Sequence, residues 1–126
     1  MRPPAIEGAP RSRRGYLEAR PIDLLGKNLL VVDIRPEVDL CGDFGHIRGA
    51  LHLSAEAIEG EGLRGIPPDA PVVLVCNNGR KSADAAETLV ERHRYHEVYV
   101  LVGGMVRWCA EERPVAHEKT WRRVGP

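Results

Sequence analysis

A single cysteine at the end of an apolar run is the side chain best placed for chemistry. Residues 72–75 are all apolar and mostly β-branched, and Cys76 follows them directly. Six polar or small residues come next: Asn77, Asn78, Gly79, Arg80, Lys81 and Ser82. Apolar residues then recur at helical spacing over positions 83–94. We therefore expect Cys76 at the carboxyl end of a buried strand, opposite the N-terminus of a helix.

The loop that follows Cys76 has the composition of an anion-binding site. A helix N-terminus carries backbone N–H groups without partners, and its dipole favours negative charge. A short loop can aim further amides at the same point, and Arg80 and Lys81 add positive charge. Because the thiolate is the nucleophilic form of cysteine, this pattern predicts that Cys76 is a nucleophile and that residues 77–82 bind an anion. The alternative is an inert core cysteine, but core strands rarely end in a polar, cationic turn of this kind.

The elements around this stretch alternate between strands and helices. Apolar runs predict strands at residues 29–34, 50–53, 72–75 and 98–102, and a further short strand is expected to begin at Tyr16. Helices are expected at residues 21–25, 55–59, 83–94 and 105–112. Such an alternation predicts an α/β fold with a parallel sheet, in which ligands bind beyond the carboxyl ends of the strands.

Three segments are expected to meet at that edge of the sheet. Asp33 and Arg35 end one strand, Cys76 ends another, and Gly103 and Gly104 follow the last. Asp33 and Arg35 either contact the active site or form a structural ion pair that holds the strand end to the loop. The two glycines are expected to let the backbone pass close to the Cys76 loop.

Charge and cysteine content narrow the possible classes of function. The chain has 126 residues, with 18 Lys and Arg and 18 Asp and Glu, which argues against a general nucleic-acid or membrane-surface role. The three cysteines form no CxxC pair and have no zinc-like spacing, so neither a disulfide scaffold nor a metal site is expected. Because no run is long and apolar enough for a membrane span or a leader, we expect a cytoplasmic protein.

Both ends of the chain are expected to lie outside one folded domain. Residues 1–15 are rich in proline, glycine and arginine, and this composition predicts a flexible tail. Residues 16–114 form the predicted domain. Residues 115–126 are predicted to be a polar tail, with Trp121 docked on the surface.

Taken in order, four segments of the sequence resemble a single-domain rhodanese, a sulfurtransferase. They are Asp33-Ile34-Arg35, residues 45–50, residues 75–82, and residues 101–104 with Trp108. The resemblance runs over residues 16–114 and implies a mostly parallel five-stranded sheet flanked by helices. It also implies that Cys76 accepts a sulfane sulfur as a persulfide, from thiosulfate or a related donor. The sulfur then passes to a thiophilic acceptor such as cyanide or a thiol, and no metal or organic cofactor is required.

The sequence departs from the family pattern in two places. The family usually has an arginine where this chain has Lys81, while Arg80 stands one position earlier. Lysine keeps the charge but loses the planar, bidentate fork of arginine. The connection from Arg35 to Gly45 is also longer than usual, which could alter access for an acceptor. Related phosphatase and arsenate-reductase loops place an arginine six positions after the cysteine, where this chain has Ser82.

The remaining candidates each allow two interpretations. His46 is either a general base or, as its place between two glycines favours, a residue that fixes the turn by hydrogen bonds. Cys41 either resolves the persulfide or is an incidental thiol, and Cys109 is expected to be buried and inert. For the whole chain, the alternative to an enzyme is a rhodanese-like sulfur-carrier or protein-binding module with little thiosulfate activity. Retention of Cys76 favours the enzyme, whereas Lys81 favours the module.

Overall fold

One sheet of six parallel strands forms the centre of the molecule. The computed structural model describes residues 2–123. Its strands are β1 (Leu17–Ala19), β2 (Leu30–Asp33), β3 (Leu51–His52), β4 (Val72–Val75), β5 (Val98–Leu101) and β6 (Arg122–Arg123). They lie in the order β1-β5-β4-β2-β3-β6, and every neighbouring pair is parallel. The α/β fold class predicted from the sequence is therefore confirmed.

Three α-helices and two short 3₁₀ helices connect the strands. The α-helices are α1 (Ala55–Glu61), α2 (Arg80–Glu91) and α3 (Gly104–Ala110), and the 3₁₀ helices span Pro21–Leu24 and Glu37–Cys41. Ser54 begins α1, because its hydroxyl accepts a hydrogen bond from the Ala57 N–H at 3.2 Å. None of the helices within residues 2–123 is long and apolar enough to cross a membrane.

The sheet is the middle layer of three, which explains why its central strands are apolar throughout. All four residues of β4 are fully buried. Successive side chains of a strand point to opposite faces. Val72 and Leu74 accordingly pack with residues of α1 and α2, such as Ile58 and Leu89. Val73 and Val75 pack on the other face in a second cluster that includes Met105 and Trp108 of α3.

Helix α2 begins earlier than the sequence pattern predicts. The expected start is residue 83, whereas the helix starts at Arg80, directly after Gly79. Gly79 has a φ of +93°, a left-handed conformation that costs glycine little, so the chain can turn into the helix at once. The apolar periodicity begins only at Ala83 because the first three residues of the helix are polar. Arg80, Lys81 and Ser82 therefore belong to the helix rather than to the loop.

The sheet has six strands rather than the expected five. The additional strand, β6, consists of two exposed arginines that pair with β3, so that Leu51 lies beside Arg122 and His52 beside Arg123. A pair of arginines carries no apolar pattern from which a strand could be predicted. The architecture is otherwise the one expected.

Parts of both predicted tails pack against the domain. Ile6 is buried, and its N–H donates to the Tyr99 hydroxyl at 3.1 Å. Trp121 is also buried, and its ring meets the His46 ring edge-on with 5.0 Å between centroids. Each of these apolar side chains is isolated in a polar segment. A single apolar residue forms no periodic pattern, so the sequence predicts tails here. Residue 1 and residues 124–126 of the predicted tails lie outside the described residues.

Candidate active site

The carboxyl ends of three neighbouring strands bring the predicted site together. Strands β2, β4 and β5 are adjacent and parallel, and Asp33 lies beside Val75 in the register of β2 and β4. Cys76 directly follows β4, and the Gly103-Gly104 pair follows β5 after one residue. The three segments that the sequence placed at one edge therefore lie at one edge.

Cys76 sits inside a tight loop whose amides point at its sulfur. The residue is 3% exposed. Its Sγ accepts hydrogen bonds from the Gly79 N–H at 3.1 Å and from the Ser82 N–H at 3.4 Å. One amide belongs to the residue before α2 and the other to its first turn. Donors placed in this way can stabilise negative charge that develops on a sulfur atom.

Asn78 shapes the loop by capping the helix. Its Oδ1 accepts a hydrogen bond from the Arg80 N–H at 3.0 Å. This bond satisfies one of the N-terminal amides of α2 that the sulfur does not use. The side chain is exposed, but its carbonyl end is directed to the backbone. Asn78 is thus placed to hold the loop that surrounds Cys76.

The first turn of α3 is bonded directly to the Cys76 loop. The Met105 N–H donates to the Cys76 carbonyl and the Val106 N–H to the Asn77 carbonyl, each at 2.9 Å. Gly104 has a φ of +55°, and a Cβ there would collide with both of these carbonyl oxygens. Gly103 has a φ of +81°, and a Cβ there would meet the side chain of Arg107. The close approach to the Cys76 loop is thus made at Gly104, while Gly103 serves the start of its own helix.

Asp33 and Arg35 form a buried ion pair that reaches the loop. Arg35 Nε lies 3.0 Å from Asp33 Oδ1 and Arg35 Nη2 lies 2.8 Å from Asp33 Oδ2, a bidentate arrangement. Arg35 Nη2 also donates to the Gly45 carbonyl at 2.6 Å. Arg35 Nη1 donates to Asn77 Oδ1 at 3.4 Å. Arg35 therefore joins the end of β2, the Gly45 turn and the residue after Cys76.

Both ring nitrogens of His46 form hydrogen bonds within the folded domain. It is fully buried, and its Nδ1 donates to the Leu40 carbonyl at 2.8 Å. Because a carbonyl can only accept, the proton of the neutral ring lies on Nδ1, and Nε2 then accepts from the Thr120 hydroxyl at 2.6 Å. With both nitrogens occupied, His46 anchors the turn to the C-terminal segment. Thr120 stands in a polar stretch without a pattern, so sequence reasoning missed this contact.

The two cations in the first turn of α2, Arg80 and Lys81, point into different grooves. Arg80 and Lys81 are both exposed, and within residues 2–123 neither forms an ion pair. Arg80 lines a groove with Tyr16 and Val102, whereas Lys81 lines a different groove between α1 and α2. Successive helical residues point about 100° apart, so the two side chains cannot share one orientation. The two side chains therefore lie on different sides of the start of α2.

Ser82, Cys41 and Cys109 differ in their burial. Ser82 is fully buried, and its hydroxyl has no hydrogen-bond partner among the described residues. Cys41 is exposed at the end of the second 3₁₀ helix. Cys109 is half-buried, and burial raises the pKa of its thiol. In the described part of the chain, no three His, Cys, Asp or Glu side chains cluster in a way that could hold a metal ion.

Comparison with known protein families identifies the family of this chain. A model of the Rhodanese-like domain family matches residues 21–111. The chain belongs to the rhodanese-like family. This agrees with the resemblance found in the sequence, and the matched residues contain every candidate site residue.

Individual relatives agree with this placement. The thiosulfate sulfurtransferase GlpE of Haemophilus influenzae (strain PittEE) is 30% identical over 94 residues, which cover 74% of this chain and 85% of that protein. The probable adenylyltransferase/sulfurtransferase MoeZ of Mycobacterium tuberculosis (strain CDC 1551 / Oshkosh) is 33% identical over 106 residues, covering 83% of this chain. The chain spans only 25% of the length of MoeZ.

A solved structure supports the fold. The crystal structure of a rhodanese-related protein from Thermoplasma volcanium superposes with a TM-score of 0.68 and 26% identity. The match covers 80% of this chain and 98% of that one. The similarity therefore extends over almost a whole rhodanese-related protein rather than over a fragment.

Proposed function

We propose that this protein is a sulfurtransferase that moves a sulfane sulfur through a persulfide on Cys76. The donor is thiosulfate or a related compound, and the acceptor is a thiophile such as cyanide, a small thiol or a protein cysteine. One observation carries the proposal: the buried Sγ of Cys76 at a strand end accepts hydrogen bonds from the backbone amides of Gly79 and Ser82. Family membership and the names of the relatives support the same class of reaction.

The proposed reaction has two balanced steps. In the first, the Cys76 thiolate attacks the sulfane sulfur of thiosulfate, the S–S bond of thiosulfate breaks, and sulfite leaves with the electron pair. The charge of minus three on the reactants is conserved as a persulfide anion and sulfite. In the second step the acceptor attacks the outer sulfur, and Cys76 leaves as a thiolate. This is nucleophilic catalysis through a covalent intermediate.

The loop contributes electrostatic stabilisation to both steps. The amides of Gly79 and Ser82 already point at the sulfur, so they can stabilise its negative charge without moving. Helix α2 and the hydrogen bonds from α3 hold them in this position. No protein base is needed once the thiolate has formed, which is consistent with the structural bonds of His46. The position six residues after Cys76 holds Ser82 rather than an arginine, so a phosphatase has less support.

One observation favours the sulfur-carrier alternative. Arg80 and Lys81 line separate grooves, so they do not converge as a pair on one small dianion. A module that received its sulfur from a protein partner would not require such convergence.

The proposed location of either activity is the cytoplasm, because the three cysteines are unpaired and suit a reducing compartment.

Intact mass spectrometry after brief incubation with thiosulfate tests the proposal. We expect the protein to gain the mass of one sulfur atom and to lose it again when cyanide is added. The same cycle should release one thiocyanate per protein. A protein that acquires no sulfur from thiosulfate but does acquire it from an organic persulfide would instead support the carrier module. No gain from either donor would contradict both.

A further inference from the structure

The first residue after the cysteine is held by a buried guanidinium. Asn77 is exposed, but its Oδ1 accepts a hydrogen bond from Arg35 Nη1 at 3.4 Å. The two residues are 42 positions apart in sequence. Their contact joins the end of β2 to the residue that follows Cys76.

This contact fixes which way the Asn77 amide faces. A guanidinium has five N–H donors and no acceptor, so the oxygen of the amide must point to it. The amide is planar, and its nitrogen therefore points away from Arg35. Within residues 2–123 the Asn77 nitrogen has no hydrogen-bond partner, so two N–H groups of this exposed residue, next to Cys76 in the chain, remain available.

Arg35 is itself held on several sides, which favours one orientation of the Asn77 amide. Its side chain is 2% exposed, and Asp33 holds it from two atoms. The Gly45 and Asp39 carbonyls accept from its remaining N–H groups, at 2.6 Å and 3.5 Å. Reversal of the Asn77 amide would place N–H groups against N–H groups. The donor end of Asn77 is therefore preorganised before any ligand arrives.

We propose that Asn77 determines donor specificity by donating hydrogen bonds to the oxygens of an oxyanion-bearing sulfur donor, with Arg35 as the residue that positions its amide. This rests on the proposed sulfurtransfer at Cys76. When Cys76 attacks the sulfane sulfur, negative charge grows on the departing SO₃ group. A neutral donor beside Cys76 stabilises those oxygens, and it leaves no charge that would hold the sulfite product.

Asn78 provides a matched control. It neighbours Asn77 and is also exposed, but its Oδ1 caps the Arg80 N–H at 3.0 Å. An aspartate at position 77 could still accept the hydrogen bond from Arg35. An aspartate at position 78 could still accept the hydrogen bond from the helix N-terminus. Asn77→Asp and Asn78→Asp therefore add the same charge beside the same loop. Only the first removes the N–H donors that Arg35 aims at the ligand.

The test compares steady-state kinetics of the two variants with two donors: thiosulfate, and an alkyl hydropersulfide that carries no oxyanion group. We expect Asn77→Asp to lower kcat/KM for thiosulfate about tenfold more than Asn78→Asp does, the scale of one lost hydrogen bond to a charged group. With the hydropersulfide the two variants should be alike. Asn77→Leu, which adds no charge, should show the same selective loss.

The role of Arg35 is tested by a double-mutant cycle. Arg35→Lys keeps a cation but loses the fork, and it should weaken thiosulfate selectivity in the native background. It should have no further effect on that selectivity in the Asn77→Leu background. Equal thiosulfate kinetics for Asn77→Asp and Asn78→Asp would overturn the inference while leaving the proposed function intact. Failure of the native protein to form a Cys76 persulfide would instead overturn the proposed function.

Discussion

The backbone N–H of Met105 donates a hydrogen bond to the carbonyl of Cys76 at 2.9 Å, although the two residues lie on different strand-to-helix connections. The Cys76 loop is therefore braced on both sides. Its amides face the sulfur, and its carbonyls are tied to the first turn of α3. A loop held in this way keeps its donors aimed whether or not a ligand is bound.

This brace predicts a large effect of substitution at Gly104. Gly104→Ala should destabilise the protein by about 2–4 kcal/mol, because a Cβ would strike two backbone carbonyls and the φ is positive. Gly49→Ala is the control, since Gly49 also has a positive φ but nothing lies within 4 Å of a Cβ there. That variant should lose only about 1 kcal/mol. Urea unfolding measures both, and similar losses would contradict the close contact.

The three cysteines should behave differently when each is replaced by serine. Cys76→Ser should abolish thiosulfate-dependent sulfur transfer with little change in thermal stability, because it removes the nucleophile at nearly constant volume. Cys41→Ser and Cys109→Ser should keep most of the activity. Burial raises the pKa of Cys109, which leaves it mostly as the unreactive thiol. Thiocyanate formation measures the outcome, and full activity of Cys76→Ser would rule out the assignment.

The exposed cations should affect thiosulfate binding separately. Lys81→Ala and Arg80→Ala should each raise KM for thiosulfate by about fivefold at low salt, the scale of the attraction between one cation and a dianion roughly 10 Å away in water. Lys81→Arg should hold or improve activity. Because the two side chains lie in different grooves, the losses should add in the double variant. Both effects should shrink as ionic strength rises.

Lys27→Ala is the control for these charge variants. Lys27 precedes β2 and so lies toward the opposite edge of the sheet from Cys76. Its removal changes the net charge equally but should leave the KM unchanged. Unaltered kinetics in both Lys81→Ala and Arg80→Ala would mean that backbone amides alone bind the anion.

Stability should fall at alkaline pH in part because of the buried phenol of Tyr99. Burial and the neighbouring Glu97 raise the pKa of Tyr99 to about 12. The unfolded chain releases this proton near pH 10, so between roughly pH 10 and 12 the folded state binds more protons and is progressively destabilised. The contribution is fully present below about pH 10 and amounts to about 1–3 kcal/mol. Unfolding free energies measured from pH 8 to 12 should show this decline, and Tyr99→Phe should flatten it.

The elements that build the site were predictable because their sequence patterns are long. Four buried residues in β4 and the periodic apolar face of α2 predicted where Cys76 would lie, and the structure has that strand and helix. The start of α2 was three residues late in the prediction, because polar residues of the first turn resemble a loop. The fold class followed from the same alternation of strands and helices.

Contacts between distant, isolated residues could not be predicted in this way. The Arg35–Asn77 hydrogen bond joins two residues that carry no shared periodicity. The burial of Ile6 and Trp121 likewise depends on which surfaces the folded domain leaves open to single apolar side chains. Such contacts are decided by tertiary geometry rather than by local pattern.

Strand β6 and the segment before β1 have a consequence for self-association. An uncovered outer strand presents unpaired backbone groups on which another chain can build aggregates. At one side of the sheet, the Glu18 N–H already bonds the Pro10 carbonyl at 2.8 Å, and Arg11 bridges to Leu17. At the other side, β6 is two residues long and both are exposed arginines. Two copies meeting through that side would bring four guanidinium groups together, so the sheet resists growing into a fibre in either direction.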